Sequence, residues 1–218
     1  MIAPNMRTML AMIMTDAFLE PAVAQELLNR AVEDSFNCIS VDGHTSPSDT
    51  VLFFANGASG IAIDASNLAF AEALRSLCID LAVQIPSDGE GVSHLITLEV
   101  QGCRSREDAR QIARQIAEDV LVKTAICGAD PNWGRIISAM GNAGIPFDPM
   151  KVSLHLNGFE LFRCGEPLPF DKPAVSSSIR DSRDTYIRLV LQEGESSICF
   201  WTTDLTAEYV RPNSDYTT

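Results

Sequence analysis

The sequence predicts a mixed α/β or α+β fold. Segments with helical spacing of apolar residues alternate with short strand-like runs, and no repeat of fixed period is visible. The composition is that of an ordinary globular chain, 46% hydrophobic and 21% charged over 218 residues, enough for one large domain or two small ones.

Residues 16–36 carry Leu19, Val23, Leu27 and Val32 at roughly helical spacing, with Thr15 as a candidate cap and Pro21 suited to the first turn. Residues 38–41 and 51–55 read as two short strands. Between them, residues 42–50 are polar and turn-forming, and their small hydroxyls and carboxyls fit either a site loop or a solvated connection. Residues 64–85 suit a long helix with Leu68, Ala71, Leu74, Leu77, Cys78 and Leu81 on one side. Residues 95–100 alternate, with Thr97 and Glu99 on the face opposite the apolar one, as a strand does.

Residues 105–120 are again helical, opened by the capping signal Ser105-Arg106-Glu107-Asp108. The apolar run 121–127 reads as a strand, and 133–140 as a helix ended by Gly141-Asn142-Ala143-Gly144. Strands are expected near 152–156, 187–192 and 197–202. Residues 165–183, with their prolines and serine run, read as loop. The pattern starts afresh near Gly102, which divides the chain into 1–102 and 103–218.

The formal net charge of -13 argues against nucleic acid or an anionic membrane as partner, and leaves a small cationic substrate open. The six cysteines are scattered without a C-x-x-C pair, which suits reduced, mostly buried thiols. His44, His94 and His155 lack metal-site spacing, so no metal or other cofactor is expected. No apolar run reaches the ~18 residues of a membrane span. The first residues hold one basic side chain and no long apolar core, so no signal peptide is expected and the cytoplasm is the expected location.

Taken alone, Thr8 in Pro4-Asn5-Met6-Arg7-Thr8-Met9-Leu10 is an ordinary hydroxyl, and Glu90 in Asp88-Gly89-Glu90-Gly91 a charge in a Gly-rich turn. Asn213 and Thr218 lie in a tail that would ordinarily fray. Asp130-Pro131-Asn132-Trp133-Gly134-Arg135 reads as mainly structural: Asn132 caps a helix, Pro131 fixes the chain entering it, Trp133 packs and Arg135 pairs with a carboxylate.

Together, five blocks resemble a known family, in order and across the entire chain. They are residues 1–11 with Thr15-Asp16-Ala17; residues 35–43 with Thr45-Ser46 and Asp49-Thr50; Asp88-Gly89-Glu90-Gly91; residues 121–125 with 128–136; and Thr203-Asp204-Leu205-Thr206 with Tyr209-Val210 and 213–218. By these blocks the chain resembles the ornithine acetyltransferase (glutamate N-acetyltransferase) family, in its second, nucleophile-bearing half, the β-chain. The resemblance implies a layered αββα-type sandwich with a smaller C-terminal α/β domain, whose tail returns to the catalytic pocket.

It also implies self-cleavage between Arg7 and Thr8. That frees an α-amino group, of reference pKa about 7.7–8.0, beside the hydroxyl it activates. Thr8 would take an acetyl group from N-acetylornithine and pass it to glutamate, and some family members also use acetyl-CoA. Glu90, Asn213 and Thr218 would contact substrate. Expected partners are an α-chain of nearly equal size, which brings the oxyanion-hole donors, and a second such pair in an (αβ)2 assembly. Without the α-chain, catalysis should be poor. The chain departs from the family at Arg7, Met14, His44 and His94, where a small residue, threonine, aspartate and lysine are usual. Two alternatives stay open: a self-processing aminopeptidase or amidase of related fold, distinguished by its acyl acceptor, and a non-catalytic orphan, distinguished by an uncleaved mass.

Overall fold

The structure, a computed structural model, describes residues 9–44 and 48–215. The chain opens with β1 (Leu10–Thr15), α1 (Pro21–Glu33) and β2 (Thr50–Ala55). β1 and β2 pair in parallel, Leu10 opposite Thr50 and Thr15 opposite Ala55, and α1 lies in the crossover that parallel pairing requires. The helix expected over 16–36 begins only at Pro21, because Phe18 first pairs with the 61–62 segment: its N–H donates to the Ile61 carbonyl at 2.8 Å. Thr15 does not cap this helix; its hydroxyl accepts the Ala17 N–H. Of the strand expected over 38–41, only a single bridge from Ile39 to Trp201 forms, after a short 3-10 turn over Phe36–Cys38.

α2 (Leu68–Ser87), capped by the Asn67 side chain, packs with α1 on the inner face of the small sheet. Ile13, Leu27, Leu28, Ala31, Leu74, Cys78 and Ala82 form this first core. The outer face of the sheet stays bare: Leu10, Met12, Met14 and Phe54 are 50% to 74% exposed. A two-stranded sheet is marginal in water without cover.

The second core is built on β3 (Leu95–Cys103), α3 (Arg106–Glu118), α4 (Val120–Cys127), α5 (Trp133–Gly141), β4 (Ser153–Leu156), β5 (Phe159–Arg163), β6 (Glu166–Pro167), α6 (Lys172–Arg180), β7 (Asp184–Val190) and β8 (Ser196–Thr203), and α7 (Ala207–Asp215) closes the described chain. Six strands form one mixed sheet in the order β6-β5-β4-β7-β3-β8, with only β3 and β7 parallel. Ala109, Ile112, Ala113 and Ile116 line one side of α3 and are buried with Leu98, Val100 and Phe200 of the sheet. Burial of each such large side chain contributes about 1.5–3 kcal/mol. The layering of helices on sheets is the mixed α/β architecture the sequence predicts. Gly102 lies inside β3; the buried residues of α1 and α2 pack in the first core, and those from β3 onward, with Cys38, in the second.

Two segments form elements other than those the sequence predicts. The run 121–127 is helix, not strand: Asp119 Oδ1 accepts the N–H groups of Leu121 and Val122, both at 2.9 Å, and starts the first turn. Val122, Ala125 and Ile126 are then buried at helical spacing while Val120 and Leu121 stay exposed. Within 165–183, Asp171 accepts the Ala174 N–H at 3.1 Å, a proline occupies the first turn, and Val175 and Ile179, one turn apart, are buried. The serine run that suggested loop is therefore helical.

Candidate active site

Three segments converge at one end of the large sheet, and each carries residues quoted in the sequence blocks. The first is the loop after the Ile39 bridge. Asp42 Oδ1 accepts the His44 N–H at 3.0 Å, and Asp42 Oδ2 accepts the Tyr209 hydroxyl at 3.3 Å. At the far end of this loop, Asp49 Oδ1 accepts the Met9 N–H at 3.2 Å, while the Thr50 N–H donates to the Met9 carbonyl at 2.9 Å. The residue following Thr8 is thus held by the loop's end. Arg7 and Thr8 themselves, and Thr218, lie outside the described residues.

The second segment is the turn after α2. Glu90 Oε2 is buried and has no hydrogen-bond partner among the described residues. Such orphaned acceptors are rare in folded proteins and call for an explanation. Beside it, the Gly91 carbonyl accepts the Thr206 hydroxyl at 2.6 Å, and the same hydroxyl accepts the Tyr209 N–H at 3.0 Å, capping α7. Gly91 adopts φ +66°, and a Cβ built there would lie 2.5 Å from Tyr209 N and 2.6 Å from Glu208 C. Gly91→Ala should therefore lift α7 off the turn and cost about 1–3 kcal/mol in backbone strain alone. Raised hydrogen exchange over 207–215 and a lowered melting temperature are the expected readouts; wild-type exchange there would refute the close approach.

The third segment is the corner from β8 into α7. Asp204 is 3% exposed. Its Oδ1 accepts the N–H groups of Ser93 and His94, both at 3.0 Å, and its Oδ2 accepts the Ser93 hydroxyl and lies 2.9 Å from His94 Nδ1. His94 Nε2 faces the Ile179 carbonyl oxygen at 3.2 Å. Beneath these loops, Lys123 of α4 is 5% exposed and donates to the Val41 carbonyl. Burial pushes the Lys123 amine down to about 8, against the opposing pull of Asp204, Asp42 and Glu118. The Tyr209 phenol is pushed up to about 12 by burial, by Asp42 and by Glu90, and so keeps its proton at neutral pH.

Of the expected site residues, Glu90 lies in the turn that meets the start of α7, and Asn213 lies further along that helix. The exposed Asn213 directs its amide into its own helix, donating to the Tyr209 carbonyl at 2.7 Å. Asp42, Lys123, Asp204 and Tyr209 were not singled out by sequence reasoning, although all lie in the quoted blocks. The readable signal was Lys123, a lone charge inside the apolar run 121–127. A cleft of about 500 Å³ also opens beside Met9 and His44, between α1 and α3.

The Asp130–Arg135 motif is structural. Asn132 accepts the Arg135 N–H at 3.1 Å as the cap of α5, and the Trp133 ring stacks on Phe162 with centroids 5.5 Å apart. Among the described residues Arg135 has no carboxylate partner, contrary to expectation; it donates to the Leu121 carbonyl at 2.9 Å and the Thr124 hydroxyl at 3.3 Å, docking α5 on α4. All six cysteines are free. Burial pushes the thiols of Cys38, Cys78 and Cys103 up to about 11 and that of Cys199 to about 12, which makes them poor nucleophiles. Among the described residues, no group of three or more His, Cys, Asp or Glu is placed to hold a metal ion, and no helix is long and apolar enough to cross a membrane.

The fold and these loops define a class: a layered α/β protein whose polar site is gathered from three connections at one end of a mixed sheet. Within that class the chain belongs to the ArgJ family, whose model matches residues 1–218. It is 42% identical to the "Arginine biosynthesis bifunctional protein ArgJ" of Symbiobacterium thermophilum, over 100% of this chain and 55% of that protein. It is 43% identical to the protein so named from Parasynechococcus marenigrum, over 100% of this chain and 53% of that protein. The chain therefore spans about half the length of the curated relatives it matches. Its structure is similar to the crystal structure of the Arginine biosynthesis bifunctional protein argJ from Bacillus halodurans. The TM-score is 0.92 at 35% identity, over 96% of this chain and 100% of that one.

Proposed function

We propose that the chain is the nucleophile-bearing half of a cytoplasmic acetyltransferase of arginine biosynthesis, transferring the acetyl group of N-acetylornithine to glutamate through an ester on Thr8. The family match over residues 1–218 carries this reading. In the processing step the Thr8 hydroxyl attacks the Arg7 carbonyl, and water then opens the resulting ester and leaves Thr8 with a free amine. In the transfer step that amine takes the hydroxyl proton as the oxygen attacks the acetyl carbonyl. The proton passes to the departing ornithine nitrogen. Glutamate's amine then attacks the acetyl-threonine and restores the hydroxyl.

The unpaired buried oxygen of Glu90 supports a substrate role, since a carboxylate binds an ammonium group by a charge-assisted hydrogen bond. Asn213, once its amide turns from the Tyr209 carbonyl, and Thr218 complete the substrate contacts. The bare face of Leu10, Met12, Met14 and Phe54 supports a second half packing there, as in an (αβ)2 assembly, and without it this face favours self-association.

The test assembles the chain with the family's N-terminal half and supplies N-acetylornithine labelled in its acetyl group. The expected result is a chain beginning at Thr8 and carrying one acetyl group on that side chain. Thr8→Ala should be neither cut nor labelled, and its transfer rate should fall by roughly 10³-fold or more. Label on any other residue, or undiminished transfer by Thr8→Ala, refutes the mechanism. Labelled acetyl-CoA in the same assay decides whether it is a second donor.

A further inference from the structure

Lys123 is the one deeply buried cation beside the three site segments among the described residues, and no step of the proposed transfer uses it. Its three N–H bonds are all engaged, with the Val41 carbonyl at 2.6 Å, the Thr202 hydroxyl at 3.2 Å and the Thr203 hydroxyl at 3.3 Å. The Thr202 hydroxyl donates in turn to the Ala117 carbonyl at 3.1 Å, and the Leu205 N–H points back at the Lys123 carbonyl at 3.4 Å. One side chain therefore ties the end of α3, the end of β8 and the Asp42 loop together.

The ties continue outward. Val41 precedes Asp42, which accepts the Tyr209 hydroxyl. Thr203 precedes Asp204, which holds the Ser93 and His94 N–H groups and so the exit of the Glu90 turn. A methionine would fill the same volume without removing a charge from water, a substitution that is often neutral or stabilising at buried ionic sites. The amine's particular contribution is thus geometric: it sets where three acceptors, and the segments that carry them, sit relative to one another.

We propose that Lys123 is a positioning residue of the substrate site, holding the Asp42 loop and the β8–α7 corner in one fixed relation to Glu90. This rests on the reading of Glu90 as a substrate contact. It is tested by binding rather than turnover, with ornithine titrated into the chain assembled with the family's N-terminal half. Wild type, Lys123→Met, Tyr209→Phe and the double variant are compared.

Lys123→Met should weaken ornithine roughly tenfold, within the range for groups sharing one hydrogen-bond network. Hydrogen exchange over 41–44 and 203–206 should rise while β7 stays protected. Because both substitutions act through the Asp42 loop, the double variant should bind little worse than the weaker single variant. A purely structural lysine would lower the melting temperature and leave the affinity of the folded protein unchanged; that result overturns the proposal, as does a double variant whose losses multiply. Should Lys123→Met fail to fold, Thr203→Val removes one acceptor and should give a smaller loss with the same non-multiplicative pattern. Labelled acetyl on Thr8 beside unchanged ornithine binding would sink the positioning role alone; no label anywhere would sink the transferase reading instead.

Discussion

Asp204→Ala is expected to destabilise the chain by about 3–5 kcal/mol, the range for removing one member of a buried charged network. The carboxylate is wholly buried and serves four donors or ring nitrogens on the 93–94 segment at once. Its loss leaves the buried His94 N–H without an acceptor, and the penalty for such a group exceeds the net worth of the bond it made. Asp204→Asn should cost markedly less. The amide oxygen can still accept both N–H groups, and the amide N–H can face Ser93 and His94. Denaturant unfolding of the three proteins at neutral pH checks both the size and the order. A loss below about 1 kcal/mol for the alanine variant would mean that the corner is held by something other than this network.

The second large effect is with pH. The thiols of Cys38, Cys78 and Cys103, fully buried, are raised by burial from the ordinary 9.0 to about 11. Between those values the unfolded chain gives up these protons and the folded chain keeps them, so stability is intact below pH 9 and falls as pH rises toward 11. Each group contributes at most about 1.4 kcal/mol per pH unit. Lys123 works in the opposite sense: its amine titrates near 8 folded and 10.5 unfolded, so its contribution rises with pH across that window. Three thiols outweigh one amine, which leaves a net fall of roughly 2 kcal/mol per unit between pH 9 and 10.5. The Cys199 thiol adds to the fall, and the Tyr209 phenol joins it above pH 10. Urea midpoints measured in reductant at pH 8, 9.5 and 10.5 should drop steadily, and more steeply in Lys123→Met. A flat or rising series would refute the account.

Local chemistry was the most legible part of the sequence. The Ser105 cap is found where it was expected, accepting the Asp108 N–H at 3.1 Å, as is the Asn132 cap of α5. Pro21 occupies the first turn of α1. The apolar run 121–127 has a length that suits a strand or a buried helix equally, and the deciding group, Asp119, stands just outside it. Residues 165–183 carry proline and serine, which suggest loop, but a proline in a first turn behind an aspartate cap starts a helix.

The long-range ties of the polar cluster are not legible in the sequence. Lys123 reaches Val41 across 82 positions, Asp204 reaches His94 across 110, and Tyr209 reaches Asp42 across 167. No periodicity joins residues so far apart. Burial of a lysine or an aspartate becomes visible only when the sheet has brought its neighbours around it.

The chain has two tryptophans, and both belong to the second core, at separate places in it. Trp133 lies on Phe162 in the second core, while Trp201 forms the bridge to Ile39 and accepts the Ser40 N–H at 3.0 Å. Trp201 is therefore an intrinsic optical probe of the junction where the segment leading from α1 meets the large sheet. With Trp133 replaced by phenylalanine, its emission would report whether that junction opens before or together with the rest of the molecule, without any attached dye.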